Sequence, residues 1–335
     1  MKQTVAFQAH AKNVFFHILT QCNLSCKHCY INPEQHGRQT LDIKTICKWL
    51  DAFSGQGADS NVIFLGGEPT MHPDLDQAIR HARSTGYKSI TVDTNGYCFH
   101  DILDKTSPGQ VDVFSFSLDG PSPEVNDPIR GKGSFKICTE NLQKAVKNGF
   151  GISLIYTVST GNLKFLDQMP ELLAKWGVQR FFIQVIGLRG NAASNASNLN
   201  QLTRSQWDSV VPAAAEKAAK LGIETTYPKV FLEPGEKFEC AGKVAENYFI
   251  FPNGRVYRCP LCEDYPIHSL MFEDDRLEAV SGLHEDRFFD LNIPEGCVMN
   301  KLIQPGNVEY GPDGDPLYQV ACCLLKERVS PPDQS

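Results

Sequence analysis

The sequence predicts an α/β protein: a partial, TIM-like (β/α)6 barrel over residues 1–225, a smaller cysteine-rich domain over residues 226–329, and a tail over residues 330–335. Three observations predict this organisation. Short apolar runs alternate with helical patterns from residue 12 to about residue 222. Beyond residue 225 this alternation stops, and six of the twelve cysteines follow. The final six residues, Ser-Pro-Pro-Asp-Gln-Ser, have the composition of a frayed end.

Six runs rich in apolar and β-branched residues have the length of strands, and they lie at residues 13–19, 61–65, 89–93, 111–118, 151–158 and 180–185. Helical periodicity separates them, as in Phe135, Cys138, Leu142 and Val146. Apolar strands that alternate with helices predict a parallel sheet. Six strands are fewer than the eight of a closed TIM barrel, so we expect an open barrel with its chemistry at the carboxyl ends of the strands.

Charge and hydropathy restrict the partners and the compartment. The net charge of −7 argues against a nucleic-acid partner, because phosphate binding needs clustered Lys and Arg. No apolar run approaches the ~18 residues of a membrane span, and the N-terminus lacks the apolar segment of a secretory signal. We therefore expect a cytoplasmic protein without a membrane partner. Because disulfides are rare in a reducing cytosol, clustered cysteines favour metal binding, whereas Cys47, Cys98 and Cys138 are expected to be small core residues.

Cys22, Cys26 and Cys29 form the first cysteine cluster. Their spacing of four and three residues lets three thiolates converge on three corners of an iron–sulfur cubane, which leaves one iron without a protein ligand. A cluster used only for electron transfer usually has four cysteine ligands. A zinc site that adds His28 is one alternative, and three core cysteines are another.

The C-x3-C-x2-C spacing with Tyr30 directly after the third cysteine resembles the signature of the radical S-adenosylmethionine (AdoMet) superfamily. The resemblance implies a [4Fe–4S] cluster whose open iron is chelated by AdoMet, with Tyr30 near the adenine. Gly66-Gly67-Glu68-Pro69 follows the second predicted strand and matches the GGEP segment of that family. Two glycines let the backbone approach a ligand closely, and Glu68 can accept from a positively charged amino group such as that of AdoMet.

Polar residues also follow the next predicted strands. Asn95, Ser117 and Asp119 lie in segments that resemble the TNG and SLDG motifs of the family, whose Asn and Ser contribute to the AdoMet pocket. Arg130 lies in a loop frequent in members with a cysteine-rich C-terminal domain, and it can pair with a carboxylate. Turn formation is the alternative for the Asn-Gly and Asp-Gly pairs, and a surface position is the alternative for Arg130. The polar stretch at residues 187–195 is expected to be a mobile loop over the site or a solvated connector.

The second cysteine cluster comprises the six cysteines beyond residue 225, namely Cys240, Cys259, Cys262, Cys297, Cys322 and Cys323. Apolar runs on both sides of Asn253-Gly254 predict a hairpin that ends near Cys259. The spacing from Cys240 through Gly254 to Cys259 resembles the start of the SPASM or twitch extensions, which hold auxiliary iron–sulfur clusters. The full SPASM form has more cysteines, so we expect one auxiliary [4Fe–4S] cluster. Cys240, Cys259 and Cys262 are the expected ligands with Cys297 or Cys322 as the fourth, and a structural zinc at the Cys259–Cys262 pair is the alternative.

The resemblance implies an enzyme that reductively cleaves AdoMet to a 5′-deoxyadenosyl radical and takes a hydrogen atom from its substrate, for oxidation or bond formation. No catalytic acid or base is identified, and the class stays open among oxidoreductase, lyase and transferase. The expected partners are an electron donor such as flavodoxin or ferredoxin, and a small-molecule or peptide substrate. Only 21 residues precede Cys22, too few for the N-terminal peptide-recognition domain of many members, which favours a small molecule or a carrier-delivered peptide. The alternatives are a non-enzymatic iron–sulfur electron carrier or cluster scaffold, and a zinc-stabilised binding module.

Overall fold

The structure, a computed structural model, describes residues 1–8, 10–54, 59–99, 101–193 and 199–332. The strands in this part of the chain are β1 (Lys2–Val5), β2 (Ala11–His17), β3 (Asp59–Leu65), β4 (Ser89–Thr94), β5 (Val113–Ser117), β6 (Ile152–Val158), β7 (Arg180–Val185), β8 (Glu224–Pro228), β9 (Glu246–Ile250), β10 (Arg255–Tyr257), β11 (Leu270–Glu273), β12 (Arg276–Ala279) and β13 (Lys326–Val329).

The α-helices are α1 (Pro33–His36), α2 (Ile43–Asp51), α3 (Leu75–Ser84), α4 (Ile102–Lys105), α5 (Pro123–Arg130), α6 (Ser134–Lys147), α7 (Met169–Trp176), α8 (Arg204–Lys220), α9 (Ala241–Val244), α10 (Asp286–Phe289) and α11 (Val298–Ile303). Short 3₁₀ turns lie at Pro69–Met71, Leu163–Gln168, Gly190–Ala193 and Pro305–Asn307. None of the helices in the described part of the chain is both long and apolar enough to cross a bilayer.

All described strands belong to one sheet, in the order β1-β13-β8-β7-β6-β5-β4-β3-β2-β9-β10-β11-β12. The run from β9 through β2 to β8 is parallel. The six predicted strands are β2 to β7, and their positions are confirmed. The parallel run is two strands longer than predicted, because β8 adds to β7 and β9 adds to β2. No pairing among the described residues joins β1 to β12, so the sheet is open.

The C-terminal residues extend the sheet at both of its sides. β9 lies parallel to β2 with Lys12 opposite Glu246, and it continues into the predicted hairpin, in which β9 and β10 are antiparallel. β13 lies antiparallel to β8 with Lys326 opposite Pro228. A separate domain over residues 226–329 therefore stays a prediction. Of the predicted tail, Ser330 exchanges backbone hydrogen bonds with Met1 (3.1 and 3.2 Å), and residues 333–335 lie outside the described residues.

Alternation along each parallel strand separates the core from the site. In β2, Val14 and Phe16 are buried beneath the helices, whereas Phe15 and His17 point to the opposite face. β7 repeats the pattern, with Phe182 and Gln184 on the inner face. Because side chains of a strand alternate between its two faces, helices cover one face of the sheet and the other face remains free to form a pocket.

Candidate active site

The inner face of the parallel strands encloses a cavity of about 370 Å³, here called the central cavity. The first cysteine cluster closes it at the carboxyl ends of the strands, and all three of its thiols line the cavity. Of the other residues predicted for the site, Tyr30, Gly66, Gly67, Glu68, Pro69, Asn95, Ser117 and Arg130 also line it. The strand-end location expected from the sequence is therefore where these residues meet.

The two glycines of the GGEP segment hold the chain that enters the first cysteine cluster. The Gly67 N–H donates to the Leu19 carbonyl, and the Glu68 N–H donates to the Gln21 carbonyl, both at 3.0 Å. A Cβ added to Gly67 would lie 2.2 Å from the Gln21 oxygen, and one added to Gly66 would lie 2.4 Å from the Leu19 oxygen. The close approach that these glycines permit is thus to the protein's own backbone, whereas the sequence suggested an approach to a ligand.

Glu68 connects the GGEP segment to the end of β4. One carboxylate oxygen accepts hydrogen bonds from the Thr70 N–H (3.1 Å), the Thr70 hydroxyl (2.6 Å) and the Thr94 hydroxyl (2.8 Å). The other oxygen accepts from the Asn95 N–H at 2.7 Å. Burial raises the pKa of Glu68. Its carboxylate is therefore engaged within the protein, which makes it a positioning group for the cavity wall.

Asn95 contacts the first cysteine cluster directly. Its side-chain N–H groups lie 3.6 Å from the Cys22 sulfur and 2.9 Å from the Asn23 side-chain oxygen. The Asn95 oxygen accepts from the Tyr97 N–H at 2.8 Å, which fixes the orientation of the amide. A hydrogen bond to a ligating sulfur tunes the potential of an iron–sulfur cluster.

Asp119 does not line the cavity, because it is fully buried behind Arg130. One of its carboxylate oxygens lies 2.6 Å from Arg130 Nε and 2.6 Å from His28 Nε2. Burial alone would raise the pKa of Asp119, but Arg130 and His28 outweigh it and hold the pKa at about 2. Arg130 is accordingly a buried ion-paired residue, not a surface one. His28 is occupied by Asp119, which argues against the zinc alternative that used His28 as a ligand.

Two neutral imidazoles, His17 and His36, lie close to the first cysteine cluster, and His17 joins Tyr30 to β9. The Tyr30 hydroxyl donates to His17 Nε2 (2.6 Å), and His17 Nδ1–H donates to the Ile250 carbonyl (2.9 Å). Phe251 lies between His17 and His36, with ring centroids 4.1 and 3.9 Å away. Burial lowers the pKa of both histidines to about 3, so both are neutral at physiological pH.

The described part of the polar stretch at residues 187–195 packs on the first cysteine cluster. The Asn191 N–H donates to the Cys29 carbonyl (2.8 Å), and its side chain donates to the Cys26 carbonyl (3.1 Å). Arg189 pairs with Glu263 (2.7 Å), and its guanidinium lies 5.4 Å from the centre of the Tyr30 ring. Sequence reasoning did not identify these residues, and the only signal was the polarity of the stretch. Residues 194–195 lie outside the described residues.

The second cysteine cluster surrounds a smaller cavity, here called the C-terminal cavity. Its thiols come from Cys240, Cys259, Cys297, Cys322 and Cys323. Burial, together with the neighbouring Cys322 and Cys259, raises the pKa of Cys240 to about 12. Cys262 does not line this cavity; it is fully buried in an apolar cluster with Phe251 and Tyr257. The structure thus brings together four of the five expected ligands and adds Cys323.

The thiols in the described part of the chain are not arranged as a site for a single metal ion. Among the described residues, no three His, Cys, Asp or Glu side chains converge where one ion could bind them. A structural zinc needs four ligands within roughly 2.0–2.3 Å of one point. A cubane distributes its thiolates over separate iron atoms, so its ligands stand farther apart.

Comparison with known proteins gives a consistent result. Residues 17–175 match the model of the Radical SAM superfamily. Among curated relatives, the Fe-coproporphyrin III synthase of Methanosarcina barkeri is 28% identical over 190 residues, which are 54% of this chain and 46% of that protein. The mycofactocin maturase MftC of Mycobacterium tuberculosis is 29% identical over 164 residues, 47% of this chain and 40% of that protein. The chain therefore spans about half the length of the curated relatives that it matches.

Solved structures confirm the α/β fold with an open parallel sheet. Streptococcus suis SuiB bound to S-adenosylmethionine matches with a TM-score of 0.63 and 13% sequence identity, over 76% of this chain and 61% of that chain. The free form of SuiB matches with a TM-score of 0.61 and 14% identity, over the same shares of the two chains.

Proposed function

We propose that the chain, whose residues 17–175 match the Radical SAM superfamily, is an enzyme that cleaves AdoMet reductively and takes a hydrogen atom from its substrate. The observation that carries the proposal is the first cysteine cluster, which presents three thiols from one loop to a cavity of about 370 Å³. A carrier that only transfers electrons needs no such cavity. The net reaction is an oxidation or a bond formation on a small molecule or peptide, with electrons from a flavodoxin or ferredoxin in the cytoplasm.

Cys22, Cys26 and Cys29 would hold the [4Fe–4S] cluster. When bound, the reduced cluster supplies one electron to AdoMet, which separates into methionine and a 5′-deoxyadenosyl radical. Asn95 stabilises the Cys22 thiolate by hydrogen bonding. The apolar side chains of Phe15, Ile155 and Phe182 line the cavity, and an apolar wall helps to keep water away from a reactive species.

AdoMet would bind beside the first cysteine cluster, against Tyr30, the GGEP segment, Asn95 and Ser117. This assignment is supported by the fact that all of these residues line the same cavity. Arg130 lines it as well, and Asp119 fixes the Arg130 guanidinium from behind. Asp119 would therefore act on AdoMet through Arg130 and not by contact.

An auxiliary [4Fe–4S] cluster in a SPASM- or twitch-like arrangement is the second part of the proposal. Cys240, Cys259, Cys297 and Cys322 are its ligands, because these four thiols line the C-terminal cavity. Cys323 lines both cavities, and Cys262, which the sequence also predicted as a ligand, lies beside Cys259 without lining the C-terminal cavity.

Names of relatives illustrate the range of substrates. The heme synthase of Oleidesulfovibrio alaskensis, 25% identical over 203 residues (59% of this chain and 51% of that protein), is named for a small molecule. SuiB has also been solved with its precursor peptide SuiA, as a 15% identical fold match over 76% of this chain and 60% of that chain, with a TM-score of 0.57. Both substrate classes are therefore compatible with the fold.

Anaerobic reconstitution, reduction with dithionite and incubation with AdoMet test the proposed activity. We expect 5′-deoxyadenosine and methionine in equal amounts, measured by liquid chromatography. A Cys47→Ala variant is the matched control, because Cys47 belongs to neither cysteine cluster and should leave the yield unchanged. Absence of 5′-deoxyadenosine from protein with intact clusters would contradict the proposal.

A further inference from the structure

The charged side chains that line the central cavity divide into paired and unpaired groups. Six carry formal charge, namely Glu68, Asp93, Arg130, Arg189, Glu263 and Lys326. Glu68 accepts four hydrogen bonds, Arg130 pairs with Asp119, and Arg189 pairs with Glu263. Within the described ranges, Lys326 and Asp93 are the charged residues of this cavity that have neither a salt bridge nor the fourfold hydrogen bonding of Glu68.

Lys326 enters the cavity from the C-terminal strand β13. Its ammonium nitrogen lies 3.8 Å from the centre of the Phe182 ring. Burial lowers the pKa of Lys326 to about 8, and Asp93 and Cys323 act in the opposite direction. Lys326 is half-buried, and an ammonium partly withdrawn from water without an anionic partner is costly, while a cation–π contact offsets only part of that cost. An anionic group on a bound ligand would therefore supply the partner that Lys326 lacks.

Asp93 lies near the end of β4, directly before the Thr94 and Asn95 that contact Glu68 and Cys22. Its partner in the sheet register is Ser115 of β5, whose hydroxyl donates a hydrogen bond to it. Burial raises the pKa of Asp93 to about 7, while Lys326 lowers it. Four strands separate β4 from β13 in the sheet, so Asp93 and Lys326 reach the same cavity from different parts of its wall.

We propose that Lys326 and Asp93 anchor a dipolar, amino-acid-like substrate, with its carboxylate on Lys326 and its ammonium on Asp93. The inference rests on the proposed function and adds the substrate class to it. The apolar part of the substrate packs against Phe15 and Phe249, whose stacked rings (centroids 4.4 Å apart) form one wall of the cavity. The source of the two charges is a free amino acid or the ends of a short peptide.

The test is equilibrium binding to the reconstituted protein, measured anaerobically by calorimetry with AdoMet at saturation. L-Phenylalanine is the first probe. L-Phenylalaninamide lacks the carboxylate, and N-acetyl-L-phenylalanine lacks the ammonium. The tripeptide Phe-Gly-Gly has both charges farther apart and distinguishes a peptide from a free amino acid. We expect phenylalanine or the tripeptide to bind at least ~10-fold more tightly than each of the two analogues, which lack one charge each.

Two variants make the prediction specific. Lys326→Met should abolish the preference for carboxylate over amide and retain the preference for free over acetylated amine. Asp93→Asn should abolish the preference for free over acetylated amine and retain the preference for carboxylate over amide. The matched control is Lys164→Met, because the Lys164 ammonium also lies over a phenylalanine ring (5.0 Å from Phe165) but is exposed outside the cavity. It should keep both preferences.

Three outcomes overturn the inference: no preference for either charge, loss of both preferences in each variant, or displacement of AdoMet by the dipolar probes. The last outcome would assign Lys326 and Asp93 to the amino and carboxyl groups of AdoMet itself. If each variant loses only the preference predicted for it but the protein yields no 5′-deoxyadenosine, the dipolar site is supported and the proposed function is contradicted. The two failures are therefore distinguishable.

Discussion

The two cysteine clusters use the same side chain in different surroundings. In the first cysteine cluster, three half-buried thiols lie on one loop at the central cavity. In the second cysteine cluster, thiols from four separate segments surround a small cavity whose other lining includes Phe238, Phe288 and Phe289. Ligand number and access decide what a cluster can do, since an iron with all its ligands from protein cannot bind a substrate. In the proposed function, the first cluster therefore has an open iron for AdoMet, whereas a second cluster held by four cysteines would have none.

The largest effect is expected from replacing Cys22, Cys26 and Cys29 together with Ala. This variant should produce no detectable 5′-deoxyadenosine, because no other described loop presents three thiols to the central cavity. It should retain about half of the iron, roughly four of eight atoms per chain, since the second cluster remains. Iron and sulfide analysis after anaerobic reconstitution measures this. A folded but iron-free triple variant would show that the second cluster does not exist.

A comparison of Cys322→Ala with Cys262→Ala tests which thiols hold the auxiliary cluster. Cys322 lines the C-terminal cavity, so its loss should remove most of the auxiliary iron. Cys262→Ala should keep that iron and lower the free energy of unfolding by about 1–2 kcal/mol, because it removes only one buried apolar sulfur. Iron content and thermal unfolding provide the two readouts. The reverse pattern would restore Cys262 as a ligand and exclude Cys322.

Gly67→Ala should disturb the first cluster alone. The added methyl group would lie 2.2 Å from the Gln21 carbonyl oxygen, so the entry to the first cysteine cluster must shift. We expect a loss of about 2–3 kcal/mol in stability, together with loss of AdoMet-dependent activity. Gly109→Ala is the matched control, because its nearest atom would be 4.0 Å away, in ordinary contact. Equal effects of the two substitutions on activity would contradict the role assigned to the glycine pair.

The last prediction concerns pH and two buried histidines, His17 and His36, which stack on the two sides of Phe251. Their pKa of about 3 in the folded protein lies below the ordinary value of 6.5, so only the unfolded chain takes up protons between these values. Each histidine should therefore reduce the free energy of unfolding by about 1.4 kcal/mol for each pH unit below ~6.5. Stability is retained above this pH and falls on acidification. Thermal unfolding between pH 7.5 and 5.5 measures the slope, which His36→Gln should reduce and the exposed His10→Gln should not.

Patterns local in sequence predicted much of the fold and of the site. β2 to β7 were predictable because each alternates or concentrates apolar residues within a few positions. The pairing of β9 with β2 was not, since the partners Lys12 and Glu246 are far apart in the chain and neither strand specifies the other. β8 was missed because its sequence Glu-Thr-Thr-Tyr-Pro is mostly polar.

The candidate site likewise contains residues that a local motif predicted and residues that only the fold brings together. The spacing of Cys22, Cys26 and Cys29 and the GGEP segment located the first cluster, whereas Lys326 and Arg189 are single residues without a motif. Their importance depends on which strand or loop brings them to the cavity, and on whether a partner neutralises them there. The C-x2-C spacing predicted Cys262 as a ligand, and this stays a prediction, because Cys262 lies beside Cys259 without lining the C-terminal cavity.

Electron paramagnetic resonance of the reduced protein, with and without AdoMet, tests the difference between the two clusters most directly. We expect two [4Fe–4S]⁺ signals, of which AdoMet changes one and leaves the other unaltered. The signal that changes should be absent from the Cys22/Cys26/Cys29→Ala variant, and the remaining one should not respond to AdoMet. An AdoMet-sensitive signal that persists in this variant would contradict the assignment of the open cluster to the first cysteine cluster.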